Sequence, residues 1–530
     1  MRTSLSKSKY TRYCQCAKSL WLHENKPGEA TIDKAKEAVF EKGNIIGDLA
    51  MGLFGDYTEV TSYDTNGNLN LREMALKTSD CIENGVDVIC EASFGFSRLG
   101  SISLLKDENV KIKSNSRLFN EGHYCSVDIL KKQGDGYAIY EVKSSSSDVE
   151  DDLKGNPKAD KYAADIAFQK WVFEHLGSIK ITGTYLVCID SDYVLDGDLD
   201  ITRLFKVIDM SEKVANEYAK LEAQVRNAHK ILRQKEAPSI ELGEHCMSPY
   251  KCDFWEYCTR ECGVPEKSVF NMYRMPFKKK INYYSEGKVS FEDLSNEKLS
   301  SNQFLQINAE ESINKDGITE FLNTLSYPLY FLDFETMQLA IPEYIGTKPY
   351  QQIPFQYSLH YIESESGELK HKEFLGESGK DPRRALAEQL CRDIPKNVCT
   401  VAYNKGFECG RIRELASAYP DLADHLLNIE QNIVDLLTPF QQGYYYLPQM
   451  GGSFSIKVVL PALFPNDPEL DYHNLDSRVQ NGGDAMSIYP KIKDMTPDEQ
   501  EATRKALLEY CKLDTLAMVK IWQKLIETIK

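Results

Sequence analysis

The stretch PLYFLDFET, residues 328–336, sets two carboxylates inside an otherwise apolar run. A short apolar run of this length reads as a buried strand. Strand side chains alternate between faces, so Asp333 and Glu335, two apart, project from the same side. Two carboxylates on one buried face repel each other and lose hydration. A divalent cation is the usual compensation, and a pair of solvated strand-end acids is the alternative. The stretch therefore commits this part of the chain to a buried strand carrying either a metal site or a polar edge.

The last helical segment weighs on that choice. Tyr510 and Asp514 are spaced i, i+4 and share one helix face. Between these two points lies VAYNKGFECGRI, which reads as a strand, a turn and a helix carrying Glu408. FLDFET, AYNKGFE and EYCKLDT together resemble the three motifs of DnaQ-like 3′–5′ exonucleases, and SFSIKVVLPALF is similar to the supporting segment those domains carry. The resemblance covers about 200 residues. It implies an RNase H-like fold and two divalent ions, Mg2+ or Mn2+, held by Asp333, Glu335, Glu408 and Asp514. It also implies that Tyr510 orients the attacking water, since Tyr-x-x-x-Asp is present and position 509 is Glu where the alternative motif has His. The second motif usually ends in Asp; Glu408 is one methylene longer, and Asp435 is the nearest substitute.

A second constellation lies upstream in CSVDILKKQGDGYAIYEVKSSSS. Asp128 closes one strand, and Glu141 and Lys143 share a face of the next. Two acids and a lysine over a hairpin can hold magnesium against a phosphodiester; a cross-strand salt bridge is the alternative. The arrangement resembles the PD-(D/E)xK core of RecB-family nucleases, which implies a restriction-endonuclease-like fold. DIAFQKWVF supplies Gln169 and Phe173, similar to that family's Gln-x-x-x-Tyr helix, and Glu91 on the preceding strand is a further candidate ligand. Many members carry Gly-x-x-x-His on the first helix, where GNIIG here has Gly47.

The chain holds 14 cysteines, many in apolar strand-like settings that suit buried thiols. HCMSPYKCDFWEYC is different: Cys246, Cys252 and Cys258 recur at equal six-residue steps among aromatics. A reducing compartment disfavours disulfides, so clustered cysteines point to a metal. Some RecB-like nucleases of the AddB and CRISPR-associated types place one cysteine before the core and three after it around a 4Fe–4S cluster. Cys16 with Cys246, Cys252 and Cys258 resembles that layout, with Cys14 and Cys262 as adjacent spares. Zinc is the alternative, although its sites usually show tighter Cys-x2–4-Cys pairs. Closing a loop of about 230 residues would stabilise the domain, which gives the cluster a mainly structural role.

Hydrophobic residues make up 42% of the 530, enough for sizeable cores, and the formal net charge is −17. That charge excludes a general cationic coat but not a local basic groove. No signal peptide and no run of about 18 apolar residues is evident, so the expectation is a cytoplasmic protein with no membrane association. The expected fold is α/β, with two mixed-sheet domains at 1–262 and 327–530 and a small helical connector at 263–326. In the connector, YRMPFKKKINYY mixes Arg274, Lys278, Lys279 and Lys280 with Tyr273, Phe277, Tyr283 and Tyr284. Such a mixture suits single strands, or a solvated linker with packed tyrosines. The whole chain resembles a bacterial family fusing an Fe–S RecB-like region to a DnaQ-like domain. The implied function is a nuclease acting on single-stranded DNA or RNA ends, in processing, repair or phage defence. The alternative is a nucleic-acid-binding scaffold with one or both centres inactive.

Overall fold

The computed structural model describes residues 4–31, 43–97, 100–101, 122–146, 156–177, 179–308 and 310–530. It is mixed α/β. The chain divides into two compact units, Met1–Val264 with Ala340–Tyr350, and Pro265–Leu339 with Gln351–Lys530. Residues 265–326 thus belong to the second unit. No helix among the described residues is long and apolar enough to cross a membrane.

The first unit is built on an eight-stranded sheet. Its main path runs β2 (Thr58–Glu59), β3 (Val88–Ser97), β5 (His123–Gln133), β6 (Gly136–Ser146), β7 (Ile181–Ile189) and β8 (Phe205–Asp209). β1 (Leu5–Ser6) pairs with β5, and β4 (Gly100–Ser101) with β3. β3, β5 and β6 are antiparallel, while β6 and β7 are parallel, with the helix Pro157–Gly177 between them in the chain. Alternation along β6 sends Tyr137 and Ile139 into one core with that helix, and Ala138, Tyr140 and Val142 into the opposite core. Glu141 and Lys143 continue the helix-facing side.

Alternation breaks in β3 and β5. On β3, Ile89 shares a core with Ala92 and Phe94, while Val88 and Cys90 face the other one. On β5, Leu130 shares that core with Val127 and Cys125, while Ile129 does not. Both strands therefore change face at Glu91 and Asp128, and Glu91 has a left-handed φ of 56°. Such irregular positions re-aim side chains and concentrate at functional sites. The first helix expected at GNIIG is present: 43–50 is helical and holds Gly47, while 32–42 lie outside the described residues.

The second unit has a five-stranded sheet ordered β12 (Lys370–Leu375), β11 (Gln352–Ile362), β10 (Leu329–Gln338), β13 (Cys399–Ala402) and β14 (Ile433–Asp435). β10 to β12 are antiparallel, and β13 and β14 run parallel to β10. A two-stranded sheet pairs β9 (Ser312–Ile313) with β15 (Tyr445–Tyr446). The 33-residue helix Pro497–Ile529 opens on a capping box between Thr496 and Glu499, satisfying amide groups that the first turn leaves unpaired.

β10 sorts its residues by parity. Tyr330, Leu332 and Phe334 pack with the helices Arg383–Asp393 and Gly406–Ala418. Leu329 and Phe331 pack with the long C-terminal helix, Phe331 lying 5.7 Å from Trp522. Burying Phe331 contributes roughly 1.5–3 kcal/mol. Asp333 and Glu335 extend that same face, and so meet the part of the long helix that carries Asp514.

Candidate functional site

Asp333, Glu335 and the thiol of Cys511 bring ligand atoms within 4.8 Å of one another. Cys511 Sγ lies 3.8 Å from Asp333 Oδ2. Asp514 is one turn further along the helix from Tyr510 and accepts a hydrogen bond from Tyr472 Oη at 2.6 Å. Glu408, in the first turn of the helix Gly406–Ala418, is 3% exposed, and its Oε2 has no hydrogen-bond partner among the described residues. A buried carboxylate oxygen left orphaned calls for a missing partner.

These acids act on one another. Burial, then Asp514, Glu335 and Glu408, hold the Asp333 carboxyl far above the usual carboxylate range. Burial and Asp514 push Glu335 up to about 8, against the opposing pull of Lys457. Burial pushes Glu408 up to about 8, and Asp435 adds to the shift. Asp514 is likewise raised by burial. Acids crowded beyond what the nearby cation Lys457 can offset fit a divalent-ion site. Tyr510 is 3% exposed and accepts from Lys457 Nζ at 2.9 Å. Asp435 is engaged elsewhere, accepting the backbone amides of Asn404, Lys405 and Leu437. It braces the turn that leads to Glu408.

The acid–acid–lysine set of the first unit also converges. Glu141 is fully buried and accepts from Lys143 and from Gln169 Nε2, the latter at 2.6 Å. Asp128 Oδ2 accepts the Val142 amide at 2.6 Å. Burial and the Glu141 charge push Asp128 up to about 7. The lysine charges around Glu141 overcome its burial and keep it below the usual range. Glu91 accepts from Ser126 at 3.1 Å and is raised by burial. Phe173 lies in the core, 4.2 Å from Phe94, and is not part of the set. Gly47 has open space where a side chain would stand.

Two members carry no sequence motif. Asp165 lies one helical turn before Gln169, its Oδ2 3.3 Å from Lys143 Nζ and its Oδ1 3.3 Å from Gln169 Nε2. The spacing i, i+4 to Gln169 was the available signal. Lys7 reaches Glu141 from the first helix.

Cys16, Cys246, Cys252 and Cys258 line one cavity, walled by Leu22, Phe254 and Trp255. Burial raises the Cys16 thiol, and pushes Cys246 and Cys258 up to about 11. Loading a metal there would therefore release protons. His245, which no sequence motif singles out, also lines the cavity, its Nε2 3.6 Å from Cys246 Sγ. Cys14 and Cys262 are exposed and do not line it.

The basic and aromatic connector splits. Tyr273 and Arg274 line a cavity of about 480 Å³ with Asn302, Tyr403, Asn404 and Phe454. Tyr283 is buried, and the Lys280 ammonium is spent on the Phe270 carbonyl at 2.7 Å.

Residues 330–455 match a family model described as a domain of unknown function, DUF2779. The match spans Asp333, Glu335 and Glu408 and ends short of Lys457, Tyr510 and Asp514. No curated protein matches the chain.

Proposed function

We propose that the chain is a metal-dependent nuclease whose main centre is the carboxylate set of the second unit, a DnaQ-like 3′–5′ exonuclease of RNase H-like fold. The observation that carries this reading is the orphaned, buried Oε2 of Glu408, coupled electrostatically to Asp333 and Glu335. Asp333, Glu335, Glu408 and Asp514 would hold Mg2+ or Mn2+. Two such ions supply an activated water and stabilise the leaving 3′-oxygen. Lys457 donates to Tyr510, so the phenol's own proton is left for the Asp514 carboxylate, which it hydrogen-bonds, and Tyr510 would help hold that ligand and the water beside it in place. Single-stranded DNA or RNA ends fit the cavity beside Arg274 and Tyr273, which offers charge to phosphate and aromatic surface to bases.

The first unit fits a RecB-like, restriction-endonuclease-like centre, with Asp128, Glu141 and Glu91 as ligands and Lys143 and Gln169 beside them. The four cysteines around one cavity suit a 4Fe–4S cluster, with zinc as the alternative. Thiolate ligands and an apolar wall would supply electron-rich, water-shielded coordination to either. A cytoplasmic setting in nucleic-acid processing, repair or phage defence accords with reduced thiols. The experiment is degradation of end-labelled single strands with Mg2+ or Mn2+ by the wild type and by Asp333→Asn and Glu141→Gln variants.

A second reading applies to the first unit alone: a strand-binding scaffold without cleavage. It is favoured by Lys7 and Lys143 both meeting Glu141, whose charge is thereby already compensated. Single strands still bound by Asp333→Asn but cut at no position, internal or terminal, would support it.

A further inference from the structure

Lys7 Nζ stands 3.0 Å from Glu141 Oε1, 3.3 Å from Oε2 and 3.9 Å from Asp165 Oδ1. It opens the helix Lys7–Gln15, capped by Ser6. A cation at this end meets the positive pole of the helix dipole, where acids are favoured. Its side chain is three-quarters buried as well. Neither feature helps the helix form, so the carboxylates hold Lys7 in place.

The other end of the helix is tied down. Arg12 Nη2 pairs with Asp253 Oδ2 at 2.8 Å, and Gln15 Nε2 donates to the carbonyls of His245 and Tyr250 at 2.9 and 2.8 Å. Those partners belong to the segment that carries Cys246 and Cys252. Cys16 is the C-cap of the same helix. One rigid element, roughly 13 Å long at 1.5 Å per residue, thus joins the cysteine cavity to the carboxylate set.

We infer that Lys7 is a tethered counter-cation of the first unit's carboxylate set, fixed by the cysteine-bearing end of its helix, and that it weakens the hold on a divalent ion. This rests on Asp128 and Glu141 being metal ligands. Lys7 is a positioning residue: it acts through Glu141 and Asp165. Without a divalent ion it neutralises these acids; with one bound it repels the ion at short range.

The test uses full-length protein carrying Asp333→Asn and Asp514→Asn, so that bound Mn2+ reports on the first unit. Free Mn2+ is followed by electron paramagnetic resonance. Adding Lys7→Met, which keeps the stem and removes the charge, lowers the Mn2+ dissociation constant at least about tenfold. Lys7→Arg leaves it close to the parent value. Gln15→Ala, which loosens the far end, shifts it in the same direction by less and serves if Lys7→Met does not fold. A folded Lys7→Met variant with unchanged or weaker Mn2+ binding overturns the inference. Parent protein showing no Mn2+ binding that Glu141→Gln removes overturns the metal-ligand reading beneath it, and the inference with it.

Discussion

Lys457 Nζ donates a 2.9 Å hydrogen bond to Tyr510 Oη. This contact links the segment after β15 to the long C-terminal helix, and it turns the phenol proton away from the lysine. Lys457 also lowers the proton affinity of Glu335 and Asp514. Lys457→Met is expected to cut strand degradation by about 10- to 100-fold, as outer-shell partners of metal sites typically do. Lys457→Arg recovers part of it. Single-turnover rates at saturating Mn2+ check this, and a fully active methionine variant would remove Lys457 from the account.

The raised acids give a pH signature. Glu335 and Glu408 fold with affinities for protons near pH 8, and Asp128 near pH 7. Groups raised on folding contribute stability at low pH and lose it as pH climbs through the folded value. Metal-free protein should therefore lose thermal stability between about pH 7 and 9, above the range in which the buried His123, His360 and His371, held below the usual histidine value, act in the opposite sense. Glu141 titrates below that window and does not oppose the trend. Glu335→Gln and Glu408→Gln should flatten the curve, and Mn2+ should restore more stability at pH 9 than at pH 5. Calorimetry in EDTA and in Mn2+ measures both, and a flat wild-type curve would contradict the crowding of these acids.

The cysteine cavity predicts a coloured protein. Anaerobic purification should give brown material with about four irons per chain if the cluster is 4Fe–4S. Cys252→Ser should lose metal, while Cys409→Ser, a buried thiol on the helix Gly406–Ala418, should keep it. Metal and sulfide analysis distinguishes this from one zinc without sulfide. Unchanged metal content in Cys252→Ser would exclude the cavity as the site.

Arg274 and Tyr273 test the strand path. Arg274→Ala should weaken binding of single strands and reduce the slope of affinity against salt by about one. Tyr273→Ala should weaken binding with the slope unchanged, as loss of stacking does. Fluorescence anisotropy across a salt series separates the two. If neither variant changes affinity, the cavity lies off the path.

Much of the scaffold was legible in the sequence because it rests on local rules. Parity put Asp333 and Glu335 together, and a helical turn put Tyr510 beside Asp514. The same parity aligned Glu141 with Lys143. What stayed hidden depends on contacts between distant segments. Lys7 meets Glu141 across 134 positions, and one lysine in a run of serines and lysines carries no pattern. The change of face at Glu91 and Asp128 is equally silent, since each strand alone reads as ordinary alternation. Cys511 resembles many other apolar thiols of the chain, and only the packing of the long helix against β10 brings it to Asp333. Asp435, the nearest substitute ligand by sequence, is occupied with backbone amides that the sequence does not display.

The most direct measurement is degradation of 5′- and 3′-labelled single strands of DNA and RNA with Mg2+ or Mn2+ by the wild type, Asp333→Asn and Glu141→Gln. The account predicts stepwise shortening from the 3′ end by the wild type, abolished in Asp333→Asn and retained in Glu141→Gln. Intact 3′ trimming in Asp333→Asn, or no cleavage by the wild type at any metal concentration, would contradict it.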